Sequence, residues 1–482
     1  MFISYFVGAM ENSPSKTIEV LNSLNLADLD GLSRFIHLNA PGIRDSVNQL
    51  LEAYSESRTN HVSMDWSRQQ VHQQLFGSQP FNDKTIRYLL SDLHSQTLQY
   101  IGYLEVRNDQ HTFQTLISDG LAKRGCVRSY SAHLNNQKKK LSSESALSPD
   151  AYFGQYQLGI IEAEWQLTHG TRSAGEMDDV LEHLDRFYLV KKLQLCCEAL
   201  NASNVLAKEQ ELFMLDELIW QIHNSNFSEV PHIAIYLKII DTLRQPDDES
   251  HFTRLTSLLQ AHGDRIEQDD LRDMYHYVLN YSIKMINQGD SVHREVLLDN
   301  YKQMMAQKIL IQDGQISQWT YKNVVTICLR QDETDFANTF IHTYRKFLSP
   351  DIRENAFQYN VAHLLFAKGQ YKGAISGLQK VDLDDVYYRL DARSILLKSY
   401  YELNDIDAMF YQASSFRMFI RRNKSISAYQ KTVYLNLIKI TLALVRAGTN
   451  KTRLKRVRNR VERDSRNADI QWVESKLEEL GA

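Results

Sequence analysis

The residues of this 482-residue chain that could do chemistry are sixteen histidines, four cysteines and a crowd of lysines and arginines in its last third. No histidine lies four positions from another on one helical face, so a metal site would need ligands from distant segments. Cys196 and Cys197 invite a redox reading, yet adjacent residues point to different faces of a helix, and two core thiols are the plainer expectation. With Cys126 and Cys328 they show neither CxxC spacing nor the density of a disulfide scaffold, which implies a reducing, cytoplasmic setting. No phosphate loop, dinucleotide fingerprint, nucleophile elbow, HExxH pair or calcium loop occurs, and no cofactor is implied. An enzyme would need a site without a motif, assembled between helices.

Charge distribution carries the strongest functional signal. From Arg417 to Arg466 there are 15 lysines and arginines against Glu462 and Asp464, a local +13, which leaves 40 basic and 57 acidic residues and −17 elsewhere, although the whole chain carries only −4. The candidate basic patch comprises Arg421, Arg422, Lys451, Arg453, Lys455, Arg456, Arg458 and Arg460. Between Lys451 and Val461, Leu454, Val457 and Val461 recur at steps of three and four, the inner stripe of a helix charged on its other faces. Such a surface attracts phosphates, anionic membranes or an acidic protein partner. Nucleic acid is not favoured, because 446–466 offers no aromatic ring for base stacking. Membrane attachment suffers from a narrow apolar stripe lacking Trp and Phe. The bland alternative is a last helix whose charges answer acidic faces of the same chain.

The elements that must position these residues are helices. With only 19 Gly and 7 Pro, the chain lacks the frequent punctuation that an all-β fold requires. Its length exceeds what one compact core serves. Phe2 to Met10 is too short to span a membrane and has no basic residue before it, so it is a poor signal peptide. Met10 is expected to be the true start, with Ser13 capping a helix that opens at Pro14. Asn82 is the expected N-cap of a helix of about six turns, with Ile86, Leu90, Leu93, Ile101 and Leu104 on one face and Thr97 off pattern. Residues 55–61 and 77–80 read as loops, and the lysine- and serine-rich stretch 135–150 as a hinge. Beyond it, helices pair at 150–169 with 176–200, 207–224 with 231–244, and 248–262 with 268–288, followed by 292–309.

Between 320 and 424 the chain aligns with itself at a shift of 35 residues. Ile327, Ala362 and Leu397 come into register, then Thr334, Gly369 and Asn404 at the turn, then Phe336, Tyr371 and Ile406, and Phe340, Ile375 and Phe410. The unit Asn360–Leu378 resembles a tetratricopeptide repeat, with Ala362, Gly369, Tyr371 and Ala374 at that family's spacing. Leu397–Ala408 is a looser match with its alanine one residue early. Gly369, Gly373 and Gly377 recur every four residues, as expected where two helices approach closely. The resemblance implies an all-α, right-handed solenoid of antiparallel helix pairs. The expected organisation is an N-terminal helical region over 1–143, an irregular hairpin array over 150–319, the repeats over 320–424, and a basic helical cap over 425–482.

In tetratricopeptide arrays the first helix of each pair lines a concave groove. The resemblance places Tyr321, Val324 and Cys328 there, then Tyr359, His363 and Phe366, then Ser394, Lys398 and Tyr401. The key lining would be Tyr321, Tyr359, His363, Phe366, Lys398 and Tyr401, suited to a partner with aromatic or amphipathic anchors. The alternative is that these rings pack against the next coil of the same superhelix. The leading expectation is therefore a non-catalytic interaction scaffold or adaptor. A nucleic-acid-associated regulator using 417–466 comes second, and an enzyme with a motif-free site last.

Overall fold

The computed structural model describes residues 15–60, 66–143, 148–169, 176–206, 211–288, 290–381, 385–464 and 466–481. The start at Met10, the Ser13 cap and residues 382–384 lie outside them. Among the described residues there are twenty-three α-helices, three 3-10 turns and no strand, so the fold is all-α. Two compact units divide within one long helix, the first ending at Phe187 and the second beginning at Tyr188.

The first unit holds α1 (Lys16–Ser23), α2 (Leu26–Asn39), α3 (Asp45–Thr59), α4 (Arg68–Phe76), α5 (Asp83–Asn108), α6 (Gln110–Lys123), α7 (Val127–Ser143), α8 (Pro149–His169) and the start of α9 (Glu176–Leu206). Ser15 caps α1, accepting from the Ile18 amide. Asn82 caps α5 as expected, accepting from the Thr85 amide at 3.1 Å. The off-pattern Thr97 is fully buried, and its hydroxyl donates to the Leu93 carbonyl one turn back at 2.7 Å, which removes the cost of burying it. Two expected breaks are helical. Residues 55–59 complete α3, with Tyr54 and Ser57 buried. The hinge expected at 135–150 is largely α7: Leu134 and Leu141 pack with Leu158 of α8, and Lys138 pairs with Glu162. Its lysines are the solvated face of a docked helix, so the break after 143 does not separate the units.

The second unit continues with α10 (Leu215–His223), α11 (Pro231–Arg244), α12 (Glu249–His262), α13 (Gln268–Gln288), α14 (Val292–Ala306), α15 (Gln318–Arg330), α16 (Thr334–Tyr344), α17 (Arg353–Ala367), α18 (Tyr371–Leu378), α19 (Val386–Glu402), α20 (Ile406–Arg422), α21 (Ala428–Ala447), α22 (Lys451–Arg463) and α23 (Ile470–Glu479). Residues 211–214, expected to be helical, are not: α10 starts only after Met214, which adopts left-handed backbone at φ 60°. From α15 onward the packing alternates. α15 touches α16 and α17, α17 touches α18 and α19, α19 touches α20 and α21, and α21 touches α22 and α23.

The turns fix the register of these pairs. Asp332, Gly369 and Asn404 all have left-handed backbone, with φ of 57°, 72° and 53°. The first two lie 37 residues apart, so the expected equivalence of Thr334 with Gly369 is two residues out. Thr334 opens α16 instead, and a β-branched residue is a poor occupant of the left-handed region that Asp tolerates. In the corrected register Val325, Ala362 and Leu397 are equivalent, as are Ala337, Ala374 and Met409, and all six are buried. Gly377 lets α18 lie close on α17, since a Cβ there would sit 3.2 Å from Ala362 Cβ. Gly377→Leu is expected to destabilise the chain by about 1–3 kcal/mol through overpacking, read as a lower urea midpoint.

Candidate functional site

The six expected groove residues form a filled interior rather than an open groove. Tyr321, Tyr359 and Lys398 are buried, and His363, Phe366 and Tyr401 are half-buried; Val324, Cys328 and Ser394 are buried with them. The Tyr321 hydroxyl donates to the Ile341 carbonyl at 2.6 Å, inside the α15–α16 pair. Tyr359 packs edge-on against Tyr388 of α19, and α23 covers Phe366, Lys398 and Tyr401. Asp469 caps this helix, accepting from the Trp472 amide, and its carboxylate pairs with Lys398. Lys398 also lies over the Phe366 ring at 4.5 Å. Tyr401 meets Trp472 edge-on at 5.2 Å. Trp472 Nε1 donates to Glu402 at 2.6 Å, and Lys476 pairs with the same carboxylate at 3.0 Å. Trp472, Val473 and Leu477 supply the apolar face and pack with residues of α21 and α22. Helical spacing marks which face of a helix is apolar; it does not say which segment lies on it.

Beside α23 runs a second buried polar cluster that the two-residue register error conceals. Lys322 of α15 pairs with Asp391 of α19, and the Tyr434 hydroxyl of α21 donates to the other oxygen of that carboxylate. The Lys322 ammonium also sits 4.8 Å from the centre of the Tyr388 ring. Burial pushes the Asp391 carboxyl up, but the Lys322 charge and the hydrogen bonds from Lys322 and Tyr434 outweigh it and hold the carboxyl below its ordinary value. Asp469 behaves likewise under Lys398. His363 stands between the two pairs with an enclosed Nδ1 that has no partner. Burial, then the Lys398 charge, lowers its pKa to about 3, so the ring is neutral at physiological pH. In the corrected register, His363 and Lys398 occupy equivalent positions six residues before their turns. Anchoring the repeat on residues that tolerate positive φ would have brought Lys322 onto the same line as Tyr359 and Ser394.

The basic patch is arranged differently. Arg421, Arg422, Lys451, Arg453, Lys455, Arg456 and Arg460 are exposed and Arg458 is half-buried, while Leu454, Val457 and Val461 are buried beneath them. Among the described residues no carboxylate pairs with any of the eight; the nearest ion pair along the chain joins Arg466 to Asp464 at 2.7 Å. Arg453 donates to the Arg446 carbonyl at 3.2 Å. The outer side of α20 adds Met418, 50 % exposed, and Tyr411, 79 % exposed, about one and three turns before the Arg421–Arg422 pair. A cleft of about 410 Å³ opens between α20, α21 and α22, and another of about 440 Å³ lies along α5 beside Lys84, Arg87 and Tyr88. Neither brings a histidine together with a carboxylate.

Cys197 is fully buried, with its Sγ 3.6 Å from the Tyr236 carbonyl, and Cys196 is buried beside it. Asp385 caps α19 by accepting from the Tyr387 and Tyr388 amides. Among the described residues no three His, Cys, Asp or Glu side chains are grouped to hold a metal ion, and no helix is long and apolar enough to cross a membrane. The chain matches no known family model and no curated protein.

Proposed function

We propose that the chain is a non-catalytic scaffold or adaptor, a stack of tetratricopeptide-like helix pairs that holds an acidic protein partner on the exposed basic face of α20 and α22. The observation that carries this reading is a set of eight solvent-facing or half-buried cations with no carboxylate partner among the described residues. Opposite charge on a partner speeds encounter, and exposed Tyr411 and Met418 offer anchors for a protein surface. A binding segment in the α17–α19 groove is not part of this proposal, because α23 occupies that face. Four thiols outside any disulfide support a cytoplasmic setting.

The test is crosslinked capture from native lysate with the wild-type chain and a Lys451→Glu/Arg453→Glu/Lys455→Glu/Arg456→Glu variant, each with and without nuclease. The expected result is a reproducible set of acidic proteins that survives nuclease and falls at least about tenfold with the variant. Loss of the set on nuclease treatment would transfer the basic face to nucleic acid. Equal capture by both chains would overturn the reading.

A further inference from the structure

The cleft between α20, α21 and α22 gathers four cations: Arg417 of α20, Lys439 and Arg446 of α21, and Arg460 of α22. Ser414 and Phe410 complete the part that matters, a hydroxyl and a ring face on the α20 wall. Among the described residues none of the four cations has a carboxylate partner, and no acidic residue lines the cleft. Helix dipoles account for two of them, since Arg446 and Arg460 stand in the last turns of α21 and α22, where cations are favoured. Arg417 and Lys439 lie well inside their helices and have no such reason to be there. The cleft along α5 makes the contrast: there Arg87 is answered by Asp83 at 2.9 Å. Four like charges on the walls of one cleft make a positive potential that an entering anion relieves.

We propose that this cleft binds a compact oligophosphate, an anion presenting two or three phosphoryl groups together. The volume decides the class of ligand. At about 410 Å³ the cleft is the size of a small-molecule site rather than of an extended track. Each phosphoryl group carries roughly −1.5 to −2, so two or three balance four cations inside that space. A carboxylate brings one charge, and an acidic polypeptide would have to converge four side chains on the same point. Nucleic acid spreads its phosphates along a backbone and matches a stripe better than a compact cleft. Three guanidinium groups suit phosphate oxygens by forked hydrogen bonding, and the Ser414 hydroxyl adds a donor.

Binding is read on the purified full chain by calorimetry and thermal shift at low salt, with tripolyphosphate, orthophosphate and an octaglutamate peptide as probes. Tripolyphosphate is expected to bind about tenfold or more tightly than either of the others and to raise the melting temperature. Arg417→Gln/Lys439→Gln is expected to weaken it about tenfold or more, and Arg421→Gln/Arg422→Gln, outside the cleft, by less than about twofold. If the first variant fails to fold, Arg446→Gln/Arg460→Gln gives the same readout from exposed helix ends. Equal affinity for orthophosphate, tighter binding of octaglutamate, or equal weakening by the cleft and outer variants would each overturn the proposal. The outcome is separable from the partner reading, since it requires no second protein.

Discussion

Lys398→Met is expected to lower the unfolding free energy by about 3 kcal/mol, because it removes the ammonium paired with the Asp469 carboxylate and leaves only the weaker attraction of Arg330. Breaking one side of a buried pair is costly chiefly for the charge left behind. The companion variant Lys398→Met/Asp469→Asn removes that charge while keeping an N-cap for α23, since Asn accepts from the Trp472 amide as well as Asp does. It is expected to recover to within about 1 kcal/mol of the wild type, and urea denaturation of the three chains measures both steps. A double variant no more stable than Lys398→Met alone would show that Lys398 acts through packing on Phe366 instead of through charge.

Acid is expected to loosen the same region well above the range where carboxylates titrate. His363 holds its proton only below about pH 3 in the folded chain, against 6.5 as its ordinary value. Between those limits the unfolded chain binds a proton that the folded chain refuses, so stability falls as pH drops, by up to about 1.4 kcal/mol per unit. His183 and His276, also lowered by burial, act in the same direction. Asp391 and Asp469 join only below the ordinary carboxyl value of 3.8, where the unfolded chain takes up protons that their lowered folded values refuse. His363→Gln is expected to flatten the profile between pH 6.5 and 4.5, recovering about 2 kcal/mol at the acid end relative to the wild type's own loss. Urea midpoints at pH 7.5, 5.5 and 4.5 test it; an unchanged slope would place the acid sensitivity at the other two histidines.

What could be read from the sequence was local. Leu454, Val457 and Val461 lie under the charges of α22 because a helix of thirteen residues displays its own stripe, whatever surrounds it. The Asn82 cap and the turn at Gly369 were legible for the same reason: each depends on a few neighbouring residues. A constant 35-residue shift misplaces the first repeat, because its turn residue Asp332 lies 37 residues before Gly369. The interior pairs were out of reach. Lys322 and Asp391 are separated by 69 residues and Lys398 and Asp469 by 71, and no periodicity within one helix specifies a partner at that range. The hinge expectation failed on composition, since lysines and serines mark a solvated surface whether or not the backbone beneath is helical.

The position of α23 also bears on how the chain is made. A polypeptide folds as it is synthesised, earlier segments first. Phe366, Lys398, Tyr401 and Glu402 belong to helices that emerge before α23, and their partners Asp469, Trp472 and Lys476 arrive later. Until then a half-made chain shows sticky rings and a cation without its anion. A product stopped short of Asp469 keeps showing them. The interior between α17 and α19 is thus closed only after α23 has been made, some seventy residues later than the side chains it covers.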